Sequence, residues 1–316
     1  AGVADPSFGM GVGVGDVDND GHEDLYVTNW GVNRLYRNLG DGRFEDVTAR
    51  SGTGDPRVST STAFADIDLD GDLDLYVAND VRIVAGDPPE CRRGVVRIYC
   101  GPRAYPGDSG SLFRNEGDLH FTDVTESMGL WTERGRQLGV VFADYDDDGD
   151  PALHVAHEPN FLFRNDGKRF AEVGVPAGIA TSPDGAPEAG MGTDWADYDR
   201  DGRLDLAVCT FQWESCRLLR NTGDGRFEDR TAPSGLGGPT YQTLTFGTDF
   251  VDTDNDGYPD LFLANGHVEP NIEILDSAGP LYAQHDQLFL NNRDGTYTDV
   301  TVASGLTAFP AAVGRG

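Results

Sequence analysis

The residues best placed to do chemistry in this chain are aspartates, and they recur in one fixed pattern. Asp16-Val-Asp-Asn-Asp-Gly-His-Glu-Asp24 returns as Asp66-Ile-Asp-Leu-Asp-Gly-Asp-Leu-Asp74, Asp197-Tyr-Asp-Arg-Asp-Gly-Arg-Leu-Asp205 and Asp252-Thr-Asp-Asn-Asp-Gly-Tyr-Pro-Asp260. An incomplete copy starts at Asp144. In such a nonapeptide the first, third, fifth and ninth side chains and the seventh main-chain carbonyl can converge on one hard cation, and the glycine in sixth place permits the sharp turn. The expected ligands are Asp16, Asp18, Asp20, the His22 carbonyl and Asp24 in the first loop, and Asp66, Asp68, Asp70, Asp72 and Asp74 in the second. They are Asp144, Asp146, Asp148 and Asp150 in the third, Asp197, Asp199, Asp201, Arg203 and Asp205 in the fourth, and Asp252, Asp254, Asp256, Tyr258 and Asp260 in the fifth. Ala152 takes the ninth place of the third loop, so that loop has lost a ligand.

Oxygen-only donors favour calcium. Magnesium wants a smaller octahedral shell that keeps several waters, and zinc wants histidine or cysteine, which the loops do not offer as side-chain ligands. Four carboxylates within ~4 Å repel one another by several kcal/mol at intermediate dielectric unless a cation sits among them. A single aspartate-rich turn reads more naturally as a solvated surface loop, but five in register do not. The expectation is four or five calcium ions in a structural role.

The elements that hold these loops repeat with them. Loop starts are 50, 78, 53 and 55 residues apart, the length of a four-stranded propeller blade, with an insertion in the long interval. A short β-rich run follows each complete loop, as in Leu25-Tyr-Val27, Leu75-Tyr-Val77, Leu206-Ala-Val208 and Leu261-Phe-Leu263. A third strand recurs as Leu35-Tyr-Arg-Asn38, Leu112-Phe-Arg-Asn115, Leu162-Phe-Arg-Asn165, Leu218-Leu-Arg-Asn221 and Leu288-Phe-Leu-Asn291. Turns such as Gly40-Asp41-Gly42 and Gly223-Asp224-Gly225 then send the chain back into a fourth, Phe44 to Thr48, Phe121 to Thr125, Phe170 to Val173, Phe227 to Thr231 and Tyr297 to Thr301. Apolar residues before each loop, such as Val12 to Val14 and Val140 to Phe142, supply the first strand. The fold class is all-β, a β-propeller of four-stranded blades with the metal loop between strands one and two. The expected blades are residues 1–50, 51–127, 128–180, 181–236 and 237–306 of a single propeller, with 307–316 beginning a further blade and insertions at 81–110 and 265–287. No sustained helical period occurs, so a helical solenoid is disfavoured.

Composition narrows the partners. A formal charge of -30 repels nucleic-acid phosphates and anionic lipid surfaces and favours cations, although solubility or a halophilic surface would also account for acidity that was scattered. No apolar run is long enough to span a membrane. The four cysteines form two close pairs, Cys91 with Cys100 and Cys209 with Cys216, which fit local disulfides better than a zinc site. Four buried free thiols in a cytosolic protein are the alternative. Disulfides point to an extracellular, cell-surface or periplasmic location.

The loops with their flanking strands resemble FG-GAP/VCBS-type repeats of integrin-α-like propellers. More narrowly, Cys91, Cys100-Gly-Pro-Arg103, Pro106-Gly107, the Leu-Phe-Arg-Asn strands, Asn265-Gly-His267 and the Phe-x-Asp-Val-Thr strands resemble the cartilage-acidic-protein/UnbV family. That resemblance implies a secreted propeller of about seven blades, often followed by a small C-terminal domain; five repeats are visible here. It implies calcium-binding aspartates at the loop positions named above, with Ala152 departing from the pattern, and transfers no catalytic residue.

Elsewhere, His154 and His157, three apart in an expected strand, cannot chelate together and read as packing or surface residues. Asp194 and Asp249 each lie three residues before a loop, as channel-lining or supporting carboxylates. No G-x-S-x-G, H-E-x-x-H or phosphate-binding glycine loop occurs. The functional expectation is a non-enzymatic, calcium-stabilised module that binds protein or glycan. The alternatives are an enzyme or accessory factor of secondary metabolism, suggested by the UnbV likeness, and a structural subunit of an extracellular assembly.

Overall fold

A computed structural model of the chain describes residues 2–83, 89–132, 135–277 and 279–314. Its five four-stranded antiparallel sheets are the blades of a β-propeller fold. The first comprises β1 (Phe8–Gly15), β2 (Asp24–Trp30), β3 (Arg34–Asn38) and β4 (Phe44–Asp46). The second has β5 (Ser59–Ala65) and β6 (Asp74–Asn79), then β7 (Cys91–Arg93) and β8 (Val96–Ile98) as a separate hairpin, and β9 (Ser111–Asn115) and β10 (Phe121–Asp123). The third is β11 (Val140–Ala143), β12 (Ala152–Val155), β13 (Phe161–Asn165) and β14 (Phe170–Glu172). The fourth is β15 (Gly190–Ala196), β16 (Asp205–Thr210), β17 (Arg217–Asn221) and β18 (Phe227–Asp229). The fifth is β19 (Thr245–Val251), β20 (Asp260–Asn265), β21 (Gln287–Asn291) and β22 (Tyr297–Asp299).

The described residues fall into two compact units. One lies within Ala1–Gly86, Pro102–Val155 and Leu162–Val173, the other within Asp87–Gly101, Ala156–Phe161 and Gly174–Gly316. In the first, Val17, Tyr26, Leu35, Val47, Leu75, Val77, Phe113 and Phe121 make the core. In the second, Tyr198, Ala207, Leu218, Leu236, Leu261, Leu263 and Phe289 do so, together with Cys209 and Cys216. Second strands covered on both faces have apolar centres, residues 75–78 in β6 and 206–209 in β16, and every residue of both strands is buried. First strands approach closely within a unit. A Cβ on Gly11 would stand 2.6 Å from the Thr60 carbonyl oxygen, and one on Gly13 would stand 2.8 Å from the Thr62 methyl group.

Several boundaries differ from the sequence expectation. First strands are longer: β1 runs from Phe8 because Phe8 and Gly9 pair with Trp30 and Asn29 of β2 across a bulge between Gly9 and Gly11. Fourth strands are shorter and stop after three residues: at the end of β4 the Leu35 N–H goes to the Thr48 hydroxyl at 2.9 Å and the Val47 carbonyl accepts the Arg50 and Ser51 amides at 3.0 and 2.9 Å, so the next residue pair keeps only the Val47 N–H bond to the Leu35 carbonyl. The insertion at 81–110 is more than an irregular excursion, since it contains the β7–β8 hairpin; its residues 84–88 lie outside the described residues, as do 315–316 of the expected further blade. Both disulfides are present, Cys91–Cys100 and Cys209–Cys216. The second clips β16 to β17, whose register pairs Leu206 with Leu219. His154 on β12 and His157 just beyond it are both buried. No described helix is long and apolar enough to cross a membrane.

Candidate metal sites

Each aspartate loop is built by its own side chains. In the first, the two oxygens of Asp16 accept the amides of Asp20 and Gly21 at 3.1 and 2.8 Å, and Asp20 accepts that of His22 at 3.0 Å. The same scheme holds at Asp66, Asp144, Asp197 and Asp252. The tight curl requires left-handed backbone at two places. Gly21, Gly71, Gly149, Gly202 and Gly257 have φ between 86° and 96°, while Asn19, Leu69, Asp147, Arg200 and Asn255 in fourth place have φ between 55° and 62°. The glycine is legible in the sequence and its partner is not, because leucine and arginine do not advertise that conformation.

Curling turns the carboxylates inward. Asp16, Asp18 and Asp24 form a group whose oxygens lie within 4.8 Å of one another, as do Asp66, Asp68 and Asp70; Asp144, Asp146 and Asp148; Asp197, Asp199 and Asp205; and Asp252, Asp254 and Asp260. Three of the four expected side chains therefore meet in each complete loop; Asp20, Asp74, Asp201 and Asp256 stand outside these groups. A cation fits what remains. The Asp18 side chain is only 10% exposed, yet its Oδ1 has no hydrogen-bond partner among the described residues, and the buried Oδ1 of Asp146 has none among them either. A buried carboxylate oxygen without a donor is costly unless a positive group faces it.

The aspartates in ninth place have a second task. Asp24 takes the Val17 amide at 3.0 Å and the Asn38 amide at 2.7 Å, so one carboxylate joins loop and third strand. Asp74, Asp205 and Asp260 repeat this with Ile67 and Asn115, Tyr198 and Asn221, and Thr253 and Asn291. Burial pushes Asp74 and Asp205 up to about 7, with neighbouring loop aspartates adding to the rise and the two amides opposing it. Ala152 offers no such carboxylate to the third loop.

Two further residue types belong to the sites and were not singled out from sequence. In three blades the asparagine that ends the third strand reaches the loop of the preceding blade: Asn115 donates to the Val17 carbonyl at 2.9 Å, Asn165 to Ile67 at 2.8 Å and Asn291 to Tyr198 at 2.8 Å. The arginine before it approaches its own loop in two blades. Arg37 pairs with Asp18 at 2.5 Å and Asp20 at 2.8 Å, and Arg220 with Asp199 at 2.6 Å and Asp201 at 2.8 Å. The recurring Leu-x-Arg-Asn motif was the available signal.

The other candidates resolve differently. Asp194 on β15 accepts the Trp195 and Phe250 amides at 2.9 and 2.8 Å; burial, with the Asp249 carboxyl beside it, pushes it up to about 6. Away from the metal loops, the β7–β8 hairpin meets the insertion at 265–287 inside the second unit. Tyr99 N–H donates to Glu269 at 2.8 Å and the Asn271 side chain to the Arg97 carbonyl at 3.2 Å. Val95, Tyr99 and Ile274 stand exposed on these two segments.

A family profile described as an FG-GAP-like repeat matches residues 16–77 and 197–263. No curated protein matches the chain. Among solved structures, the chain is similar to an Agrocybe aegerita lectin that recognises non-reducing terminal N-acetylglucosamine, with 18% identity, TM-score 0.48, and 93% of this chain covering 65% of that one. It is also similar to the exotype rhamnogalacturonan lyase YesX, with 16% identity, TM-score 0.44, and coverage of 92% and 48%. A third is the Photorhabdus luminescens Tc holotoxin pore, with 15% identity, TM-score 0.36, and coverage of 90% and 11%. The chain spans less than two thirds of the length of each, and likenesses this distant carry no argument about what it binds.

Proposed function

We propose that this chain is a calcium-stabilised β-propeller that works outside the cytoplasm as a binding or scaffolding module for protein or glycan. The observation that carries the calcium reading is the set of five inward-turned aspartate groups, two of which contain a buried carboxylate oxygen with no donor. Asp16, Asp18 and Asp24, and their counterparts, would hold the ion; it would face the oxygens that have no donor and close the loop against the strands. The FG-GAP-like match over the first two and last two loops supports the same reading. Two disulfides support an oxidising compartment.

The binding role rests on the two insertions that meet beside Tyr99 and Glu269, because loops carried on a rigid scaffold commonly hold recognition surfaces. Among the described residues no aspartate group contains a residue of these insertions, so the proposed metal sites and the proposed recognition surface are separable. Equilibrium dialysis with calcium should show uptake and raise the melting temperature, since a ligand that binds only the folded state stabilises it. An unchanged melting curve in excess chelator removes the calcium reading. Binding should be screened on a glycan array and against extracellular proteins, with Tyr99→Ala combined with Val95→Asp. Partners retained in full by that variant remove the assignment of this surface.

A further inference from the structure

The five loops are alike in sequence but not in their relation to the arginines. Arg37 and Arg220 each bridge the acids in third and fifth place of their own loop. Arg114 instead pairs with Glu116 at 2.7 Å, and Arg164 with Asp166 at 2.9 Å. What separates the two classes is the residue two places beyond the arginine: Leu39 and Thr222 in the first, Glu116 and Asp166 in the second. Residues two apart on an extended chain project to the same side, so an acid there is the nearest partner a guanidinium can find. Where that place carries no acid, the guanidinium turns to the loop. Leu290 stands in the arginine's place in the fifth blade, where Arg293 from the following turn pairs with Asp256 at 2.6 Å.

We propose that this single position sets the calcium affinity of each loop by deciding whether the strand arginine sits on the loop acids as an internal counter-ion. The proposal rests on the calcium reading above. In the first and fourth loops the guanidinium neutralises part of the charge that attracts a cation, and binding must displace it or work against it. In the second loop, which has a complete set of aspartates, the arginine is held by Glu116 and acts on Asp68 only at longer range, so it is not seated on the acids. The second loop therefore fills at lower free calcium than the first and fourth. The difference is about two- to fivefold, or ~0.4 to 1 kcal/mol for one partly exposed charge pair. The third loop pairs a retracted arginine with the loss of the ninth carboxylate at Ala152, so its place in the order reports which matters more.

The test uses the whole chain labelled with ¹⁵N-glycine, titrated with calcium alone in magnesium-free buffer, with the amides of Gly21, Gly71, Gly149, Gly202 and Gly257 as reporters of single loops. Gly71 should respond at lower calcium than Gly21 and Gly202. Leu39→Glu should move the Gly21 midpoint to about fivefold lower calcium, and Glu116→Leu should move the Gly71 midpoint up by a similar factor. Both sites are exposed, so the fold should tolerate the changes. Arg37→Gln should reproduce the effect of Leu39→Glu, and adding Leu39→Glu to it should shift Gly21 no further. A further shift in that background means that added charge alone is responsible and overturns the proposal. Glycines that respond with one common midpoint, unmoved by either exchange, also overturn it while leaving the calcium reading standing. If no glycine responds to calcium, the calcium reading itself falls.

Discussion

Replacing Asn115 with alanine tests whether the asparagine that ends a third strand ties one blade to the loop before it. Its buried side chain donates to the Val17 carbonyl at 2.9 Å and the Leu73 carbonyl at 3.2 Å, and accepts the Gly117 amide at 3.1 Å. Alanine removes all three and leaves the carbonyl of Val17, itself 2% exposed, without that donor. At about 1 kcal/mol for each bond, the variant should lose about 3 kcal/mol. Asn38, at the same place in the first blade, provides the control. It donates to Glu23 at 3.0 Å and accepts the Gly40 amide at 3.0 Å, both in exposed surroundings. Water replaces such bonds at little cost, so Asn38→Ala should lose about 1 kcal/mol or less. Urea unfolding in excess calcium, compared by midpoint at constant slope, measures both. Equal losses at the two positions would refute the reasoning, because the burial of the tie to Val17 would then count for nothing.

Gly11→Ala should destabilise by about 1–3 kcal/mol, because the new methyl group meets the Thr60 backbone carbonyl at 2.6 Å and no rotamer change relieves it; thermal melting checks this. Mild reductant should open Cys91–Cys100 in the folded protein and spare Cys209–Cys216, whose cysteines are 0% and 2% exposed, until denaturant is added; mass spectrometry with differential alkylation reads the order. Burial pushes Asp80 up to about 6 from 3.8, with Arg136 opposing, so the folded state binds the extra proton between those values and stability falls as pH rises through that window. Asp80→Asn should leave stability at pH 4 nearly unchanged and raise it at pH 8, with a ceiling of ~3 kcal/mol at ~1.4 kcal/mol per pH unit; a variant no more stable than the parent at pH 8 shows that Asp80 is well served when ionised.

The amino-acid sequence by itself determined whatever depends on short spacing. The aspartate loops, the four-stranded repeat and the partners in both disulfides are legible because the residues that make them lie within one blade or one hairpin. Gly21 and its counterparts were legible because glycine marks left-handed backbone, whereas Leu69 and Arg200 adopt it without any such mark. Tertiary structure decided what joins distant residues. Asn115 reaches Val17 across 98 positions, Asn291 reaches Tyr198 across 93, and Tyr99 reaches Glu269 across 170. It also decided that Asp24, Asp205 and Asp260 divide their oxygens between backbone amides and the acid group, and that Arg37 turns to its loop while Arg114 does not. A spacing rule reports which groups can converge; the competition for each donor and acceptor is settled only when the neighbouring strands are in place.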